Sequence, residues 1–181
     1  MIVLFMADGT EEIEALTPVD LLRRAGVEVQ VVGIGGRRVT GSHGITVECD
    51  VADSEWKAPS DLQGVILPGG MPGTKNLDAS PVVDEALRLA EKQGAVLAAI
   101  CAAPLILGRR GLLKGCRATC YPGFEQELAG AQVESLPVCR DGQKITARGA
   151  GAALAFGLEL VSALCGSEKA AALAGEIQCS V

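Results

Sequence analysis

The chain is poor in the groups that most enzymes use for acid–base and ligand chemistry. Of 181 residues, one is histidine, one tryptophan, one tyrosine and three phenylalanine. A single histidine, His43, gives a cysteine peptidase or glutaminase only one candidate to take the thiol proton, and a Cys–His–acid triad is not expected. Seven cysteines include no C-x-x-C pair, so with one histidine the usual zinc-ligand spacings are absent and no metal is expected. The odd count also speaks for reduced thiols and a cytoplasmic protein rather than a disulfide framework. Basic residues are outnumbered, 16 against 22, for a net charge of −6 and a pI near 4.9, which argues against a nucleic-acid partner. No run of 18 uncharged apolar residues occurs, so no membrane span is expected. The chain starts directly on an apolar run, IVLFM, and no signal or transit peptide is expected ahead of it.

Against this background, Gly94 to Gly108, GAVLAAICAAPLILG, stands out. Ala95 to Cys101 has the length and apolarity of a strand buried on both faces, as in a parallel sheet. Small residues follow, then Pro104, which suits the first turn of a helix. The pattern is strand, sharp turn, helix, with Cys101 at the turn. A thiol over a helix N-terminus is biased towards thiolate. Free cysteines are also common as inert core residues, and the local pattern leaves both readings open.

The rest of the chain alternates strands and helices. Ile2 to Met6 reads as a first strand. Beyond it, acidic Glu11 and Glu12 open a helix in which Thr17-Pro18 predicts a kink or restart. Gly26 ends that helix, and Val27 to Val32 reads as the second strand. No G-x-G-x-x-G follows the first strand, so a dinucleotide fingerprint is missing. Arg37 to Val51 reads as a hairpin turning at Gly41-Ser42-His43-Gly44; a histidine there is ordinarily just solvated. Ala52 to Gln63 reads as irregular. Gly64 to Leu67 forms the next strand and leads into a glycine-rich corner, Pro68 to Gly73. Ser80-Pro81 starts a helix running to about Lys92. Arg117 to Cys120 is a short strand, Asp141-Gly142 marks a hairpin, Ala152 to about Cys165 is a long apolar helix, and Ser167 starts the last one. Alternation of this kind implies one α/β domain over residues 1–181, with a mostly parallel sheet covered by helices on both faces and a small β-hairpin. Ligand sites in such sheets lie beyond the carboxyl ends of the strands, where the turns after Met6, Leu67 and Ile100 converge.

Those turns bring together a coherent chemistry. Cys101 supplies sulfur. Gly69 and Gly70 let bare backbone amides approach a ligand, and the amide of Ala102 lies just past the sulfur. Two such donors form an oxyanion hole, worth about 3–4 kcal/mol per donor. Glu14, one turn into the first helix between Ile13 and Leu16, is placed to enter the core, where a carboxyl holds its proton. An exposed helical glutamate and a plain tight turn are the ordinary alternatives.

The motifs ADGTEEIEA with PVDLLRRAG (Ala7 to Gly26), VILPGG (Val65 to Gly70), AAICAAP (Ala98 to Pro104), TCYP (Thr119 to Pro122) and RGAG (Arg148 to Gly151) occur together, in order, over nearly the whole chain. In this the sequence resembles the ThiJ/PfpI superfamily and, within it, bacterial-type members of the DJ-one branch, that of the Parkinson-associated deglycase. The resemblance implies a flavodoxin-like, doubly wound fold, a homodimer, and a site without cofactor. It makes Cys101 the reactive thiol, Glu14 its protonated partner, and Gly70 and Ala102 the oxyanion donors, with Gly69, Tyr121, Arg24 and His43 as further site-lining candidates. Three positions depart from family patterns. PfpI-type members have a histidine where Ala102 follows the nucleophile, which speaks against peptidase activity. The animal deglycase has a histidine where Tyr121 stands, and an arginine near the dimer interface where this chain has His43; Arg24 matches a second such arginine. The implied activity is conversion of methylglyoxal or glyoxal to the hydroxy acid, or release of such groups from glycated amino acids. A peroxide-responsive stress protein sensing through Cys101 and a holdase chaperone are the alternatives.

Overall fold

The computed structural model describes residues 1–179. In chain order the strands and helices are β1 (Ile2–Met6), α1 (Glu12–Arg24), β2 (Val29–Gly33), β3 (Arg38–Thr40), β4 (Thr46–Glu48), β5 (Val51–Ala52), β6 (Gly64–Leu67), α2 (Gly73–Asp78), α3 (Pro81–Gln93), β7 (Val96–Ile100), α4 (Pro104–Arg109), β8 (Arg117–Ala118), β9 (Gln132–Val133), β10 (Val138–Asp141), β11 (Lys144–Ala147), α5 (Ala153–Cys165) and α6 (Ser167–Glu176). Seven strands form one sheet in the order β10-β11-β7-β6-β1-β2-β5. All neighbours are parallel except β10 and β11, the hairpin marked by Asp141-Gly142. The β3–β4 hairpin stands apart as a two-stranded ribbon.

Side-chain alternation along the strands sorts the core into two layers. Ile2, Leu4 and Met6 of β1, with Val96, Ala98 and Ile100 of β7, pack with α1, α5 and α6. Val3, Phe5, Leu97 and Ala99 point the other way, into the layer formed with α2, α3 and α4. Both faces are covered, which is why these strands read as unbroken apolar runs. From β1 the chain goes outward to β2 and β5, then returns to β6 on the other side of β1. The reversal puts a crevice at the carboxyl ends of β1 and β6, and β7, carrying Cys101 at its end, is the next strand along.

Local signals explain most element ends. Ser80 Oγ accepts a hydrogen bond from the Val83 amide at 3.5 Å, Pro81 occupies the first turn of α3, and Gly94 closes that helix at φ 66°. In α1 the acids lie in the first turn and Arg23 and Arg24 in the last, matching the helix dipole.

Some expectations are corrected. Helix α1 continues through Thr17-Pro18 without a restart. The hydrogen bond lost at Pro18 is offset by packing: Gly157 of α5 lets the helices close until its missing Cβ would lie 3.3 Å from Pro18 Cα and 2.5 Å from Leu21 Cδ1. Val27 lies in the turn that closes α1, its amide donating to Leu22 O at 2.9 Å, so β2 begins at Val29. The glycine-rich corner feeds a short helix, α2, that its composition conceals, and the stretch from Ala52 buries Trp56 edge-on against Phe5 at 5.6 Å between ring centroids.

Candidate active site

Cys101 occupies the strand-to-helix turn expected of it, and the turn is strained. Its φ is 64°, a left-handed conformation costing a non-glycine residue about 1–2 kcal/mol. Two hydrogen bonds hold it there. The Cys101 amide donates to Ala147 O at 2.9 Å, at the end of neighbouring β11, and the Tyr121 amide donates to Cys101 O at 2.8 Å. The sulfur is thereby turned towards the crevice, half-buried, with the amides of Ala102 and Gly70 directed at it.

Glu14 meets it from the other side. Its carboxyl is fully buried, and Oε2 accepts from the Gly69 amide at 2.9 Å. Oε1 has no partner of ordinary hydrogen-bond geometry among the described residues, while the carboxyl and the Cys101 thiol interact directly. This close approach demands glycine. A Cβ at Gly69 would fall 2.7 Å from both Cys101 Cβ and Glu14 Oε2, and one at Gly70, where φ is 89°, would fall 2.4 Å from the Glu11 amide nitrogen. The turn after β6 is tied to the start of α1 by the Glu11 amide, which donates to Gly69 O at 2.9 Å.

Burial pushes the Glu14 carboxyl up to about 7, against smaller lowering effects of the Cys101 and Gly69 hydrogen bonds. The thiol corrects the sequence-based expectation. Burial, then the charge and hydrogen bond of Glu14, push Cys101 up to about 12, and the Ala102 and Gly70 amides only moderate the rise. Helix α4 has six residues and no side-chain cap, too little field to outweigh a buried carboxyl in contact. The pair therefore rests as a thiol beside a carboxyl poised near neutrality.

Of the other expected residues, Gly69, Gly70 and Ala102 join this crevice. Tyr121 stands beside it through its amide, while its half-exposed ring lies against Gly149, whose missing Cβ would sit 3.3 Å from it. Arg24 lies away from the crevice of its own chain. It pairs with Asp20 at 2.7 Å, ten residues further along α1 than Glu14, roughly 15 Å at 1.5 Å per residue.

His43 tethers the β3–β4 hairpin to the start of α1. Its Nδ1 lies 3.1 Å from Glu12 Oε2 and 3.4 Å from Glu11 Oε2, and its amide donates to Glu12 Oε1 at 2.9 Å. Burial works to raise the Glu12 pKa, but the amides of Glu12, His43 and Ile45 and the His43 ring hold it down at about 2. The ligand-type atoms of Glu11, Glu12 and His43 lie within 4.8 Å of one another, so a cation would find three donors there; as the chain stands they satisfy one another and the Ser42 hydroxyl. Sequence reasoning did not single out Arg148, which follows the acceptor of the Cys101 amide; its only signal was membership of the RGAG motif.

A model of the DJ-1/PfpI family matches residues 1–163. The chain belongs to the DJ-1/PfpI family. It is 37% identical over 167 residues to protein dj-1beta of Drosophila melanogaster, covering 91% of this chain and 89% of that one. A deglycase of Pyrococcus abyssi is 32% identical over 169 residues, covering 90% and 98% respectively. Among solved structures, oxidized DJ-1 of Toxoplasma gondii superposes with a TM-score of 0.90 at 31% identity, covering 99% of this chain and 98% of that one. The flavodoxin-like, doubly wound fold is thus that of DJ-1/PfpI proteins, and the crevice described above lies within the matched residues.

The Glu14 geometry makes a pH-dependent prediction. Between its ordinary value of 4.5 and about 7 the folded protein holds a proton that the unfolded chain has released, so this group's contribution to stability is full below 4.5 and is lost as pH rises through about 7. The loss is about 3 kcal/mol. Glu14→Gln cannot ionise and lacks it. Urea unfolding from about pH 4 to about pH 9 should show the variant gaining on the wild type by that order; parallel profiles would mean that Glu14 is not held protonated.

Proposed function

We propose that the chain converts reactive α-oxoaldehydes such as methylglyoxal to hydroxy acids, or removes them from glycated amino groups, with Cys101 as nucleophile. The observation that supports this most is the convergence of Cys101, the buried Glu14 carboxyl and the amides of Gly70 and Ala102 in one crevice. The deglycase among the relatives agrees with it.

The sulfur adds to the aldehyde carbon while its proton passes to Glu14, a carboxylate for about half the time near pH 7. The former carbonyl oxygen, now negative, is held by the two amides. Glu14 passes that proton on to the oxygen, which completes a hemithioacetal and leaves Glu14 a carboxylate again. Glu14 then takes the proton from the former aldehyde carbon to give an enediolate and returns it to the adjacent carbon, while the hydroxyl proton passes to the neighbouring oxygen. The ketone is thereby reduced to an alcohol while the aldehyde carbon is oxidised to a thioester. Water hydrolyses the thioester, releasing lactate from methylglyoxal and restoring the thiol. Every electron stays within the substrate.

Lactate formation from methylglyoxal without added thiol should proceed in the wild type and fall at least 100-fold in Cys101→Ser, roughly 3 kcal/mol in barrier. Equal rates from the two proteins would remove the proposal.

A second reading, a peroxide response at Cys101, is favoured by the same amides, which suit the oxygens of an oxidised sulfur, and by Glu14 as acceptor of the thiol proton. Burial pushes up the thiols of Cys49, Cys120 and Cys139 as it does that of Cys101; what sets Cys101 apart is the carboxyl in contact and the two amides directed at its sulfur, and the more accessible Cys116, Cys165 and Cys179 are its competitors. Two equivalents of peroxide would carry the thiol to sulfinate with release of two waters. Peptide mass spectrometry after graded peroxide should find two oxygens first on Cys101; earlier modification of Cys165 would contradict this reading.

A further inference from the structure

A cavity of about 550 Å³ opens beside the crevice, lined by Tyr121, Pro122, Pro137, Arg148 and the turn from Gly149 to Ala152. Two hydrogen bonds join it to the nucleophile: Tyr121, on one wall, donates its amide to Cys101 O, and Ala147, directly before Arg148, accepts the Cys101 amide. Its volume falls in the range of roughly 300–1,000 Å³ that takes a whole ligand, far more than a three-carbon oxoaldehyde fills. The walls are prolines, small residues and the face of Tyr121, with one cation.

That cation is unusual in this chain. Of ten arginines, Arg23, Arg24, Arg37, Arg38, Arg109, Arg110 and Arg140 pair with carboxylates, and Arg88 and Arg117 donate to backbone carbonyls. Among the described residues the Arg148 guanidinium alone has neither. Its backbone is fixed, the amide donating to Pro137 O at 2.9 Å, and Glu125, the acid that shares the neighbourhood of Cys120 with it, is already engaged by the Gly123 amide at 2.8 Å. In a chain of net charge −6, an exposed arginine without a protein partner, lining an apolar recess next to a nucleophile, has the form of a receptor for a planar anion.

We infer that this cavity is a subsite for the tail of the substrate, with Arg148 binding a terminal carboxylate, so that the preferred substrates are α-oxoaldehydes carrying an anionic group. The inference rests on the reading that Cys101 attacks the aldehyde. Arg148 selects and positions; the reacting atoms belong to Cys101 and Glu14.

The test compares γ,δ-dioxovalerate, an α-oxoaldehyde with a carboxylate tail, with methylglyoxal. The wild type should favour the anionic substrate at least tenfold in kcat/KM. Arg148→Gln should lower that ratio tenfold or more, mainly through KM, and Arg148→Lys should restore part of it. An unchanged ratio in Arg148→Gln would overturn the assignment. Calorimetric titration of γ,δ-dioxovalerate into Cys101→Ser, with and without Arg148→Gln, separates the subsite from the chemistry. Binding at least tenfold weaker in the double variant supports the subsite even if neither substrate is turned over by the wild type, in which case the catalytic proposal alone fails. Equal binding by the two proteins, each checked for fold by circular dichroism, overturns the subsite whatever the turnover.

Discussion

The site depends on one buried contact, the Glu14 carboxyl held on the Gly69 amide and pressed against the Cys101 thiol. A fully buried carboxyl with a single amide for support resists ionisation. Two neighbouring positions are closed to any side chain because that carboxyl must reach the sulfur: Gly69 lies in contact with both groups, and Gly70 lies on the start of the helix that carries Glu14. The strained turn at Cys101, pinned through Ala147 and Tyr121, completes the arrangement. Loss of any of these would either separate the acid from the sulfur or let water between them.

The consequence is electrostatic. A lone thiol pushed up by burial is a poor nucleophile, and a lone buried carboxyl is a stability cost. When Glu14 is ionised the pair shares the thiol's proton, the acid accepting it when the sulfur forms a bond and returning it later. The backbone donors are fixed before any substrate arrives, so they need not reorganise as negative charge moves from sulfur to oxygen. Arg148 stands outside this exchange. It adds charge where the substrate's tail would lie, in the recess that it lines together with Tyr121.

The alternating strands and helices, the Ser80-Pro81 start, the Gly94 stop and the Asp141-Gly142 hairpin were legible because each rests on local backbone chemistry. So was the position of Cys101, since a buried strand ending in cysteine, small residues and proline admits few conformations. Glu14 could be picked from Glu11, Glu12 and Glu14 by its flanking apolar residues, although Glu12 is also buried, under the hairpin, which no local pattern announces. The sign of the thiol's shift was misread because a helix N-terminus is visible in sequence whereas a buried carboxyl in contact is a tertiary fact. The continuous helix through Pro18 depends on Gly157, 139 positions away. Arg148 was passed over for a similar reason: the absence of a partner cannot be read until every other arginine has found one.

The central claim is that Glu14 holds a proton near neutrality because it is buried against Cys101. Carbon-detected NMR of the side-chain carboxyl, with Glu14 assigned by comparison with Glu14→Gln, measures this without reference to any substrate. A titration midpoint near 7 is the predicted result. A midpoint at the ordinary value of about 4.5 would contradict the account, since the proton exchange assigned to this pair would then have no acid to serve it.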